Sequence, residues 1–175
     1  MLEPADLTFR IGHGYDLHRL EPVAPEGAGR PFILGGVRFD HPLGPVGHSD
    51  GDALYHALTD ALLGAIGAED IGRLFPDTDP QYENADSAVF VEVAAHRMRQ
   101  AGYAVGNVDI TVICERPRLG GRREKMIANV ARLLQCDPTQ VNIKGKTHEQ
   151  VGTLGEGRAV EVHAVALLAP RRTAG

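Results

Sequence analysis

From Asp50 to Ile66 the sequence DGDALYHALTDALLGAI places Leu54, Leu58, Ala61, Leu62 and Ala65 at helical spacing and leaves Asp52, His56 and Asp60 on a different stripe. The segment is an amphipathic helix whose polar face is loaded with titratable groups, and its apolar face must be buried against another element. Residues 86–101 read as a second helix, with Asp86 or Ser87 as N-cap and Gly102 placed for a left-handed C-terminal cap. Arg122 to Gln135 reads as a third. Strand patterns interleave with these helices at Leu7–Gly14, at Phe32–Leu34 before Gly35-Gly36, and at Val108–Cys114, Val141–Lys144 and Ala159–Leu168. This order predicts an α/β (α+β) two-layer sandwich, an about four-stranded mixed sheet with helices on one face. The other face then needs cover, and a subunit interface could supply it. Residues 21–31, rich in Pro and Gly, read as a surface loop that interrupts one domain.

Composition sets the outer limits. With 175 residues, 43% of them hydrophobic and 23% charged, the chain fits a single catalytic domain, 1–175, with its core at 9–169 and the ends 1–8 and 170–175 outside it. A net charge of -5, with basic residues scattered except at Arg122, Arg123 and Lys125, argues against a nucleic-acid partner. No stretch approaches the run of about 18 apolar residues that would cross a bilayer. Two cysteines, Cys114 and Cys136, are too few for a bridged framework, so a reducing compartment, by default the cytoplasm, is expected.

Asp16 and His18 stand two apart, so in an extended segment both side chains leave the same face and can reach one ion. His56 lies one turn after Asp52 and one before Asp60, and either carboxylate could hold its second ring nitrogen. One carboxylate and two imidazoles make a three-ligand set of the kind zinc enzymes use, with a fourth position open. The same set also describes non-haem iron oxygenases, and spacing does not separate the two. Taken alone, Glu149 reads as an exposed glutamate at a helix start, His48 as a loop histidine capping the next helix, and PDTDP as a turn.

The segments RIGHGYDLHRL, GHSDGDALYHALTDALLGAIGAEDIGRLFPDTDP and GNVDITVICERPR resemble, in order, signature segments of the 2-C-methyl-D-erythritol 2,4-cyclodiphosphate synthase family, over about Phe9 to Leu168. The resemblance implies a lyase of isoprenoid precursor synthesis that converts 4-diphosphocytidyl-2-C-methyl-D-erythritol 2-phosphate to the cyclic diphosphate and releases CMP. It implies Asp16, His18 and His56 as ligands of one zinc ion, and Glu149 as ligand of a second divalent ion, magnesium or manganese. His48 and Ser49 match the pair that approaches the attacking phosphate, and Thr147 a threonine that bonds the diphosphate; His48 and Thr147 are thereby the catalytic candidates. Asp70, Ile71 and Gly72, with Phe75, Pro76, Asp77, Thr78 and Asp79, match the region that receives the methylerythritol portion. Cys114, Pro117, Arg118, Leu119 and Gly120 match the cytidine site, with Lys146 and His148 beside the phosphates. The family forms homotrimers with active sites between subunits.

Two rival readings remain on the residues alone. An iron-dependent oxygenase would consume oxygen and make no nucleotide product; a non-catalytic trimeric module would use zinc only to tie the loop at Asp16 to the helix at His56. Neither gives Glu149 a role. The chain departs from the family near its end. Where many members have G-R-G-E-G, with the arginine facing a cavity on the threefold axis and binding an isoprenoid diphosphate, this chain has Gly155-Glu156-Gly157-Arg158-Ala159. The two charges are exchanged, which predicts weak binding of farnesyl or geranyl diphosphate at the axis. A titration that found tight binding, abolished by Glu156→Ala, would reject this.

Overall fold

The computed structural model describes residues 8–171; Leu7, the expected start of the first strand, lies outside the described residues. In chain order the elements are β1 (Arg10–Pro22), β2 (Ile33–Leu34), β3 (Val37–Arg38), β4 (Leu43–Pro45), α1 (Ala53–Ala65), α2 (Ile71–Leu74), α3 (Ala88–Gln100), β5 (Tyr103–Ile113), α4 (Arg123–Leu134), β6 (Val141–Lys146), α5 (Gly152–Gly155) and β7 (Ala159–Pro170). The main sheet runs β4-β1-β7-β5-β6. Its pairings are antiparallel except β5 with β6, which α4 joins by the crossover that a parallel pair needs.

Period-two alternation sorts the side chains. On β7, Val160, Val162, Ala164, Ala166 and Leu168 are buried toward the helices, while Glu161, His163 and Val165 face the other way. Helices α1, α3 and α4 bury their apolar stripes in one core with that inner face. The outer face carries Ile11, Tyr15, Leu17 and Val165, and Ile11, near the start of β1, is 71% exposed.

Three expectations are corrected. The sheet has five strands, not about four, because Leu43–Pro45 pairs with Leu20–Pro22 at the edge, where proline owes no ladder hydrogen bond. The piece Phe32–Leu34 does not join that sheet: Ile33–Leu34 pairs only with Val37–Arg38, across a tight turn in which Gly35 and Gly36 take φ of 57° and 68°. The first strand does not end at Gly14. It runs through Asp16 and His18 to Pro22, because β7 pairs with it as far as Arg19↔Ala159 and supplies the ladder that its polar residues do not advertise.

Helix α1 lies directly on β1. A Cβ at Gly12 would stand 1.9 Å from the Ala61 carbonyl oxygen, and one at Gly14 would stand 1.8 Å from that of Ala57. Neither neighbour is a flexible side chain, so α1 would have to lift. Gly14→Ala should therefore destabilise the fold by on the order of 3 kcal/mol, read as a lower urea midpoint. It should also disturb the approach of His56 to Asp16 and His18, because His56 rides on the displaced helix.

Candidate metal centre

Strand alternation puts Gly12, Gly14, Asp16, His18 and Leu20 on the helix side of β1. The two glycines seat α1, and next to Ala57 the same helix lowers His56 over the next two positions of the strand. Asp16 Oδ2 lies 2.9 Å from His18 Nε2 and 3.1 Å from His56 Nδ1, and the two ring nitrogens are 3.2 Å apart. All three donors fall within 4.8 Å of one another and are half-buried. One carboxylate oxygen and two imidazole nitrogens converging in this way fit a zinc-type ion.

The far side of each ring is also held. His56 Nε2 faces the hydroxyls of Ser87 at 2.9 Å and Ser49 at 3.1 Å. With the Nε2 proton donated there, Nδ1 keeps its lone pair for the ion. Neither Asp52 nor Asp60 holds that nitrogen, which corrects the expectation from their i−4 and i+4 spacing. Asp52 is consumed as the N-cap of α1, accepting from the N–H groups of Leu54 and Tyr55, and it also receives Gly35 N at 2.9 Å and Gly36 N at 2.7 Å. Asp60 accepts from Ile71 N at 2.8 Å and so fixes the start of α2. Ser87, expected only as a cap, makes no side-chain cap bond because its hydroxyl serves His56 and Asp50.

These contacts set the charges. Burial works to raise the Asp16 carboxyl, but hydrogen bonds and charge from His18 and His56 outweigh it and hold the group well below the usual carboxylate range. Burial works to lower His18, yet the hydrogen bond and charge of Asp16 and a bond to the Val46 backbone leave it above its ordinary 6.5. Burial pushes the Asp52 carboxyl up to about 6 against the pull of the Gly36 and Gly35 N–H groups.

A cavity of about 430 Å³ opens over the donors and is lined also by His48, Ser49, Ile71, Gly72, Phe75 and Asp77. Tyr82 and Phe90, which the sequence reading missed, form its aromatic wall with Phe75: ring centroids stand 4.5 Å apart for Phe75–Phe90 and 5.4 Å for Phe75–Tyr82. The position of Phe90 in an apolar helix stripe gave no sign of this. Arg30 was missed inside the loop 21–31. It donates to the carbonyls of Gly47 and His48 and to Asn84, and so pins the loop that carries His48 and Ser49. The remaining expected residues of this region are turn formers: Asp70 caps α2 through Arg73 N, and Asp79 accepts from Gln81 N in the segment that also holds Pro76 and Thr78.

The other expected residues meet elsewhere. Cys114, Pro117, Arg118, Leu119, Gly120, Lys146, Thr147 and Glu149 line a separate cleft of about 540 Å³, joined by Arg123, which the sequence reading did not select. Thr147 Oγ1 donates to Glu149 Oε1 at 2.9 Å, and Glu149 lies in a left-handed turn at φ 51°. His148 is held through its backbone N–H, which donates to Glu115 at 2.8 Å. The exchanged charges Glu156 and Arg158 pair with each other.

A helix-covered mixed sheet with a carboxylate–imidazole donor set at the seam of helix and strand defines an α/β protein whose side chains Asp16, His18 and His56 fit a divalent metal ion. The chain belongs to the YgbB family, whose model matches residues 9–169. It is 51% identical over 162 residues to the 2-C-methyl-D-erythritol 2,4-cyclodiphosphate synthase of Dechloromonas aromatica, covering 93% of this chain and 98% of that one. It is 49% identical to the chloroplastic protein of that name from Catharanthus roseus, where it covers 93% of this chain but 66% of the relative. The chain thus spans about two thirds of that plant protein. Among solved structures, the Plasmodium falciparum IspF in complex with CDP superposes with a TM-score of 0.81 at 39% identity, covering 94% of this chain and 98% of that one. The bifunctional IspDF of Campylobacter jejuni superposes with 0.85 at 36% identity, covering 93% of this chain and 42% of that one. Among the described residues, no helix is long and apolar enough to cross a membrane.

Because His18 is held above its ordinary 6.5, an incoming ion must compete with a proton on that ring as pH falls. Metal affinity should therefore fall on acidification, as protons compete for the His18 ring. The loss should approach roughly tenfold per pH unit for each proton displaced, as competition titrations with a chromophoric chelator would show.

Proposed function

We propose that this chain is a cyclodiphosphate synthase, converting 4-diphosphocytidyl-2-C-methyl-D-erythritol 2-phosphate to 2-C-methyl-D-erythritol 2,4-cyclodiphosphate with release of CMP, in non-mevalonate isoprenoid precursor synthesis. The observation that carries this reading is the convergence of Asp16 Oδ2, His18 Nε2 and His56 Nδ1 in a chain of this family. In the reaction an oxygen of the substrate's own 2-phosphate bonds to the β-phosphorus, the bond from that phosphorus to the bridging oxygen breaks, and its electron pair leaves with CMP. No protein nucleophile is needed, so the residues' task is positioning and charge. Zinc held by Asp16, His18 and His56 would supply Lewis acidity to a phosphoryl oxygen.

His48 and Ser49 line the same cavity and act as oriented donors to the attacking phosphate. Ile71, Gly72, Phe75 and Asp77 receive the methylerythritol portion, with Asp70, Pro76, Thr78 and Asp79 shaping that wall. In the second cleft Arg118 and Lys146 offer positive charge to a diphosphate, Thr147 a hydroxyl, and Cys114, Pro117, Leu119 and Gly120 an apolar wall for cytosine. Glu149 is the hard carboxylate there that would hold a magnesium or manganese ion, with His148 adjacent.

The two clefts are separate within one chain, and the outer sheet face exposes Ile11, Tyr15, Leu17 and Val165. Both facts support a homotrimer in which one copy supplies the metal donors and its neighbour the second cleft. In this reading residues 1–175 form one catalytic domain with its core at 9–169, working in the cytoplasm.

The test is incubation of the purified chain with the substrate and magnesium, following CMP by chromatography and assembly by light scattering. Wild type should release CMP from a trimer. His56→Ala should form the same trimer and lose about 10²-fold or more in rate. Undiminished release by the mutant would overturn the proposal.

A further inference from the structure

The outer face of the sheet carries a second pair of converging imidazoles. His13 Nε2 and His163 Nδ1 stand 3.2 Å apart, the same separation as the two histidines of the metal centre. The pair is cross-strand and diagonal: His13 lies opposite Val165 on β7, and His163 opposite Tyr15 on β1. The rings are stacked, with centroids 5.4 Å apart and planes at 25°. Alternation along β1 sends His13 to the face away from Asp16 and His18, so the two sites lie on opposite sides of the sheet.

His163 is braced from behind. Its Nε2 lies 3.0 Å from Glu161 Oε1, and that carboxylate side chain is only 17% exposed. A proton on Nε2, donated to Glu161, leaves the Nδ1 lone pair aimed at His13. A carboxylate holding the far nitrogen of a histidine is the brace that metal-ligating imidazoles have. Spacing agrees: two nitrogens each about 2.0–2.1 Å from one ion lie roughly 2.9–3.3 Å apart for right-angle to tetrahedral coordination.

We propose that His13 and His163 form a second transition-metal site, for a zinc-, nickel- or copper-type ion, on the outer face of the sheet. The imidazole pair selects such ions over magnesium or calcium, which prefer oxygen donors. With two protein donors against three, the site binds more weakly than Asp16–His18–His56. An ion there would tie β1 to β7, with its remaining positions open to water or to a second copy.

Zinc alone is the probe, titrated calorimetrically into the metal-stripped chain. Wild type should show two classes of site, each near one ion per chain. The weaker class should vanish in the His13→Gln/His163→Gln double variant and survive in His18→Ala, which removes the tighter one. Glu161→Gln should weaken the outer class about tenfold, and it decides the matter if the double variant loses the wild-type circular dichroism. A single class in wild type, or a weaker class that persists in the double variant or is unchanged in Glu161→Gln, would overturn the proposal. Because different variants remove the two classes, each loss reports on one site.

Discussion

Backbone contact between α1 and β1 organises the molecule. At Gly12 and Gly14 the helix approaches so closely that its Ala61 and Ala57 carbonyl oxygens occupy the places where side chains would begin. Those two absent side chains set the height of α1 above the sheet, and the height decides whether His56 meets Asp16 and His18. Side chains at these two positions would hold the helix farther off, and the ring on the helix would then lose its close approach to the strand's donors. The ligand set therefore depends as much on residues with no side chain as on those that coordinate.

A second layer of polar contacts keeps that arrangement from sliding. Asp52, buried without exposure, ties the N-terminus of α1 to the turn at Gly35-Gly36. Its confinement is costly for a carboxylate, which is why burial raises it to about 6 even with backbone N–H groups around it. Asp50 joins the same loop to the start of α3 by accepting from Ser87 N, and Ser87 passes the connection to His56. Arg30 secures the loop from the other side through Gly47 and His48. Loops thereby acquire fixed geometry next to the cavity over Asp16, His18 and His56.

Much of this was legible from residue spacing, and the failures have physical causes. Asp16 and His18 share a face because they stand two apart on a strand, and α1 announced itself by its leucines. What spacing could not give was the competition for each polar group. Asp52 is near His56 in sequence, but a helix N-terminus with unsatisfied N–H groups is a stronger claimant for its oxygens. Ser87 is a good cap by type, yet its hydroxyl is taken by a ring 31 residues away in sequence. The edge strand Leu43–Pro45 contains Gly and Pro and has no alternation to betray it; only pairing with β1 makes it a strand. The cleft at Cys114–Gly120 and Lys146–Glu149 was assembled from family likeness, since nothing local to either segment says that they adjoin.

The parity of β1 has one more outcome. Small residues at 12 and 14 and ligands at 16 and 18 share a face, while Ile11, His13, Tyr15 and Leu17 share the other. Were the chain to pair with β7 one step out of phase, isoleucine and histidine would be thrust under the helix and the helix could not dock. The protein thus carries its own proofreading during folding: a β1–β7 ladder out of register is rejected by bulk alone, before any ion arrives to test whether the donors are in place.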